Sequence, residues 1–228
     1  TKNINVFKPE LTFKDSEAYY GDTAPEPENL KSNLTNTVWK HENKTDADVT
    51  MLGNKPTLAI TCTPDGSKIA DNKINTTEDI GVAVTVKSGN TDVTDYATYK
   101  HDKCANKTCQ LPEGYRFLIH VKTCTLTITK NVSGTTIDDG QSFIFTITGP
   151  GIAKRVVIQG AGSVTLTGLK VGEYTVKEDS AWSWRYKADK ESYSATLSAD
   201  APDGSVTVTN TLENHQWVST DVYCKNEF

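Results

Sequence analysis

The sequence predicts an all-β protein of two β-sandwich domains in tandem, the second of immunoglobulin-like architecture. Short runs rich in threonine and valine alternate apolar with polar residues, the period of a strand with one buried face. Gly, Asp, Asn and Pro punctuate those runs at short intervals, as turns require. No long stretch shows helical periodicity. The 228 residues suffice for a core in each of two domains.

Residues 1–122 form the predicted N-terminal β-domain. Its strands are read in "INVFKPELTFKDSEAYY", "PTLAITCTP", "IGVAVTVKSG" and "YRFLIHVKT". The segment "GDTAPEPENLKSN" reads as a loop, since its prolines and charges suit no sheet interior. The division falls near "FLIHVKTC". Beyond it, residues 123–212 hold cleaner strands: "TLTITKNV", "SFIFTITG", "AKRVVIQ", "SVTLTGL", "GEYTVKED", "YSATLSA" and "GSVTVTNTL". Seven short alternating strands in about ninety residues predict a two-sheet sandwich. Residues 213–228 lack alternation and read as a linker or tail.

The net charge of −5, without a basic patch, argues against nucleic acid as a partner. No apolar run is long enough to span a membrane and no signal peptide is present. A start at Thr1 reads as that of a processed product or an excised fragment. Five cysteines leave at least one unpaired within the chain. Cys104 and Cys109, close together in "HDKCANKTC", are disulfide candidates of the kind found in exported proteins. Free thiols, or a zinc site drawn from His101, Cys104, Cys109, His120 and Cys124, are the alternatives, but the spacing fits no zinc motif. A calcium site in the Asp-rich turn "TPDGSKIADN" is an open alternative, though its spacing fails the EF-hand pattern. No other metal or cofactor is expected. Nor is an enzyme acting on outside substrates: no histidine lies near a serine or cysteine nucleophile in a recognisable motif, and no phosphate-cradling glycine loop occurs.

Three polar residues break the pattern of the second domain. Side chains alternate between the faces of a strand, so Lys130 shares the apolar face of Leu126, Ile128 and Val132. Glu178 continues the face of Tyr174 and Val176. Asn210 lies among Val206, Val208 and Leu212. An unpaired ammonium in a core is very costly, and one such lysine reads as a strand-end exception whose head lifts into water. A lysine, an acid and an asparagine together read as a site for amide formation. Burial favours the neutral, nucleophilic amine and the protonated carboxylic acid. A protonated Glu178 would hydrogen-bond the side-chain carbonyl of Asn210 and relay a proton to departing ammonia, while packing supplies the effective concentration. The product would be a Lys130–Asn210 isopeptide bond, formed once per chain.

These residues carry a resemblance. The strands "LTITK", "EYTVKE" and "VTVTNT" are similar to those of the collagen-binding-protein B-type (CnaB) domains of Gram-positive surface proteins and pilins. That family has a lysine in its first strand, an acid closing a "YTVxE" strand and an asparagine in a terminal "VTNT" strand. The glycine before "YTV" is Gly172 here. The resemblance covers residues 124–212 and implies Lys130 as nucleophile, Asn210 as electrophile and Glu178 as the acid. "FIFTITG" and "WSWRY" also resemble surface proteins of gut-dwelling Firmicutes, and the N-terminal half resembles the module that precedes such domains there. The implied role is a structural or adhesive module, extracellular and on the bacterial surface, with neighbouring modules of the same chain as partners. No LPxTG-type motif is visible, so an anchor signal would lie beyond Phe228.

The rival expectation is a head that binds a host extracellular protein, an immunoglobulin or a matrix protein. Exposed aromatics beside an arginine are typical interface anchors, and Trp182, Trp184 and Arg185, with Tyr19 and Tyr20, are the candidates. The bland alternative is that alternate aromatics plug the ends of each sandwich. Lys8 and Lys14 are the candidates for a second isopeptide bond, but no matching acid and asparagine strand is evident in the first domain.

Overall fold

A computed structural model describes residues 7–41, 56–102, 111–134, 140–183 and 185–213. The chain divides into two compact units, Thr1–Lys122 and Thr123–Phe228. Each is all-β, as the alternation predicts.

The N-terminal unit contains β1 (Phe7–Phe13), β2 (Ser16–Tyr19), β3 (Leu34–His41), β4 (Leu58–Pro64), β5 (Ile69–Ala70), β6 (Lys73–Ile74), β7 (Ile80–Ser88), β8 (Thr91–Asp92), β9 (Thr98–His101) and β10 (Phe117–Lys122). One sheet has the order β3-β1-β9, a second is β2-β10-β7-β4 with β8 on β7, and β5 and β6 pair as a small third. Leu11 and Phe13 from the first sheet and Val82, Val84, Phe117 and Ile119 from the second share one buried core. There the rings of Phe13 and Phe117 stack at 5.3 Å. The opening run is two strands, because the chain leaves one sheet for the other at Lys14–Asp15. Asp15 holds that crossing, its carboxylate accepting from the Leu118 amide at 2.7 Å and meeting His101 at 2.7 Å and His120 at 3.1 Å. Within the segment read as a loop, Pro27–Leu30 forms one helical turn. Proline suits the first helical position, where its missing N–H costs nothing, and Leu30 anchors the turn in the core.

The C-terminal unit contains β11 (Cys124–Ser133), β12 (Ser142–Gly149), β13 (Ile152–Gln159), β14 (Gly162–Leu169), β15 (Gly172–Glu178), β16 (Tyr186–Ala188), β17 (Tyr193–Leu197) and β18 (Asp203–Leu212). Two four-stranded sheets, β14-β11-β18-β16 and β13-β12-β15-β17, make the sandwich. All seven strands read in this half are present, and β16, too short to show a period, is the eighth. Threonines on the outward face of β11 bond across to β14, Thr127 to Thr165 at 2.9 Å and Thr129 to Ser163 at 3.0 Å. The first strand, β11, runs parallel to the last, β18, from Thr125 opposite Asp203 to Ser133 opposite Thr211. Gly172 opens β15 at φ +140°, where a Cβ would lie 2.5 Å from the Pro150 ring, so only glycine fits.

Candidate functional site

Inward alternation carries three polar side chains into the core of the C-terminal sandwich. Along β11 the buried residues are Cys124, Leu126, Ile128 and Lys130; along β15, Tyr174, Val176 and Glu178; along β18, Val206, Val208 and Asn210. Lys130 and Asn210 are fully buried and Glu178 is 7% exposed. In the parallel register Lys130 faces Val208 and Asn210 faces Val132, while Glu178, in the other sheet, pairs with Phe145.

The lysine has not lifted its head into water. Its Nζ donates to the carbonyl of Asn131 at 2.7 Å and reaches that of Val208 at 3.5 Å, and it sits 4.3 Å from the centroid of the Phe143 ring. Among the described residues no carboxylate lies within ion-pair distance of it. Burial pushes its pKa down to about 8, against the opposing pull of the Glu178 and Asp189 charges. At pH 7 roughly one amine in ten is then uncharged. A neutral amine has two N–H groups for the two carbonyls and a lone pair to spare.

Glu178 and Asn210 are joined directly. The Asn210 Nδ2 donates to Glu178 Oε1 at 2.7 Å, and the Ser183 hydroxyl donates to the same oxygen at 2.5 Å. Glu178 Oε2 and Asn210 Oδ1 are both buried without a partner. With a carboxylate these are two orphaned acceptors, each costing about 1–3 kcal/mol. One proton on Oε2 converts that orphan into a donor. A cavity of about 560 Å³ opens beside Glu178, lined also by Lys177, Tyr186, Lys187 and Asp189.

Ser183 is absent from the sequence reading, which took "AWSWRY" for its aromatics. It is 1% exposed and is folded back over Glu178 by a turn in which its amide bonds the Asp179 carbonyl at 3.3 Å and its own carbonyl accepts from Tyr186 at 2.7 Å. The usable signal was a hydroxyl five residues after the acid, inside a turn.

The binding candidates belong to both units. Trp182 is 58% exposed, Arg185 is exposed and Trp184 lies outside the described residues. Tyr186 between the sheets packs edge-on against Phe143 at 5.3 Å, the plugging role of the bland alternative. Tyr19 and Tyr20 are half-buried in the N-terminal unit. Cys104 and Cys109 fall outside the described residues; Cys62 and Cys124 are buried. His101 and His120 both bind Asp15, and among the described residues no group of three His, Cys, Asp or Glu is placed to hold a metal. Asp65 of the Asp-rich turn accepts from the amide and hydroxyl of Ser67. Among the described residues no helix is long and apolar enough to cross a membrane.

Residues 119–212 match the SpaA family model, a prealbumin-like fold domain, consistent with a CnaB-like domain. The match begins within β10 and ends with β18. No curated protein matches the chain. Among solved structures, a Mobiluncus mulieris adhesin containing intramolecular disulfide, isopeptide and ester cross-links aligns at 14% identity and a TM-score of 0.41, over 60% of either chain. The backbone protein of group B streptococcus pilus 2b aligns at 17% identity and a TM-score of 0.37, over 60% of this chain and 50% of its own. A minor pilin of Streptococcus agalactiae aligns at 11% identity and a TM-score of 0.31, over 84% of this chain and 74% of its own. The chain thus spans 60% and 50% of the first two proteins, under two thirds of each.

Proposed function

We propose that the C-terminal domain closes a Lys130–Asn210 isopeptide bond on itself, and that the chain is a structural module of a bacterial cell-surface adhesin or pilus-like stalk. The observation that carries the reading is the buried triad: a lysine with no ion pair among the described residues, and an acid hydrogen-bonded to an amide, each keeping one buried oxygen without a partner. The neutral Nζ attacks Cγ of Asn210, with Glu178 polarising the carbonyl. The Nζ–Cγ bond forms and the Cγ–Nδ2 bond breaks. One Nζ proton passes by way of Glu178 to Nδ2, which leaves as ammonia through the cavity, and Glu178 ends as it began. The step is a single turnover and needs no cofactor.

The surface role draws on the CnaB-like motifs and on strand topology. β11 and β18 are parallel neighbours, so pulling the domain from its two ends loads their whole ladder in shear. A covalent tie between Lys130 and Asn210 routes the force from one strand to the other and leaves residues 131–209 unstressed. Single-molecule pulling on the full chain tests this. The wild type should release no length from that segment, whereas Asn210→Ala should add about 80 residues of contour, roughly 280 Å. Equal extension of the two refutes the stalk reading.

A second reading, a head that binds a host extracellular protein, is favoured by the exposure of Trp182 beside Arg185. Loss of binding to an immunoglobulin or a matrix protein in a folded Trp182→Ala variant would support it, and no binding by the wild type would remove it.

A further inference from the structure

The acid of the triad has two oxygens, and the chemistry needs its proton on one of them. Glu178 Oε1 accepts from Asn210 Nδ2 at 2.7 Å and from Ser183 Oγ at 2.5 Å. Oε2 accepts from nothing, and Asn210 Oδ1 is the other orphan of the cluster. A proton on Oε1 would compete with the two donors already on that oxygen and leave Oε2 and Oδ1 as two unsatisfied acceptors. The other acceptor near the serine hydroxyl, the Asp179 carbonyl, is 3.4 Å away, too long to draw that hydroxyl off Oε1.

We infer that Ser183 is a positioning residue for isopeptide formation: by occupying Oε1 it keeps the acid's proton on Oε2, the oxygen left to activate the Asn210 carbonyl. The inference rests on the isopeptide reading and names a fourth residue for it. Ser183 touches neither reacting atom and acts through Glu178. Its place is fixed by the backbone bonds of Ser183 to Asp179 and from Tyr186, and the residue is 1% exposed. Without this partner the balance between the two oxygens shifts toward a proton on Oε1 by up to about tenfold, the strength of one buried hydrogen bond.

The test is the time course of ammonia loss, read by intact mass on the full chain after cell-free synthesis, with near-ultraviolet circular dichroism reporting the fold. Ser183→Ala should close the bond about tenfold more slowly than the wild type, the effect of one buried hydrogen bond. Ser183→Thr, which keeps the hydroxyl, should stay within about threefold of the wild type. Ser183→Cys is slightly larger and a poor donor, should be as slow as alanine, and carries the test if the alanine variant unfolds. A role in packing alone ranks cysteine above threonine; hydrogen bonding ranks threonine above cysteine. Closure at the wild-type rate in the folded alanine or cysteine variant overturns the inference and leaves the isopeptide intact. A wild type that never loses ammonia overturns both.

Discussion

Replacing Asn210 with alanine leaves a buried lysine with no amide to attack, and the cost should appear as stability that depends on pH. Loss of the tie opens a loop of about 80 residues, worth about 4–5 kcal/mol on the chain-entropy model. The amine adds a second penalty. Its pKa falls from about 10.4 in an unfolded chain to about 8 in the fold, which costs about 3 kcal/mol wherever both states are charged. Below pH 8 that penalty is present in full. Between pH 8 and about 10.4 the unfolded chain holds the proton that the folded one has released, so stability rises with pH. Above that window the penalty is gone. Urea denaturation of Asn210→Ala at pH 7 and pH 10, set against Lys130→Met/Asn210→Ala, isolates the lysine, because every other titrating group is common to both. The single variant should gain about 2.5 kcal/mol relative to the double one over that interval, the remainder following above pH 10. A flat difference refutes the buried-amine argument.

Three other outcomes follow from single contacts. Gly172→Ala should destabilise the C-terminal unit by about 1–3 kcal/mol in calorimetry, since a Cβ there meets Pro150 at 2.5 Å in a backbone region unsuited to alanine. Burial lowers the charge preference of His120, but hydrogen bonds to Asp79 and Asp15 on its two ring nitrogens outweigh that and raise its pKa. Its contribution is thus complete below about pH 6.5 and lost as pH rises through the raised value. The N-terminal unit should melt lower at pH 8 than at pH 6, and Asp79→Asn should flatten that difference. Burial pushes the Cys62 thiol up to about 11, so a thiol reagent at pH 8 should label it only after denaturation; rapid native labelling, located by peptide mapping, would contradict its placement in the core.

Strand identity in the C-terminal unit is legible because one-sided burial imposes strict alternation, as in Leu126, Ile128 and Lys130 or Val206, Val208 and Asn210. The same periodicity makes the polar exceptions visible. It cannot show β16, whose three residues hold no period, or Ser183, whose position depends on a turn rather than a strand. In the N-terminal unit β3 escapes notice because "LTNTVWKH" mixes polar and apolar residues on both faces. The sheet crossing at Lys14–Asp15 is likewise hidden, since its anchor bonds come from Leu118, His101 and His120, far away in sequence. The pairing of Glu178 with Asn210 needs two sheets to face each other, and sequence supplies only their separate faces.

The most direct measurement is the intact mass of the reduced wild-type chain beside Glu178→Ala, followed by sequencing of the cross-linked peptide. The account predicts a wild type lighter by one ammonia, with Lys130 joined to Asn210, and a variant at the mass of its sequence. A wild type at its full sequence mass would contradict it, leaving three buried polar side chains held only by hydrogen bonds.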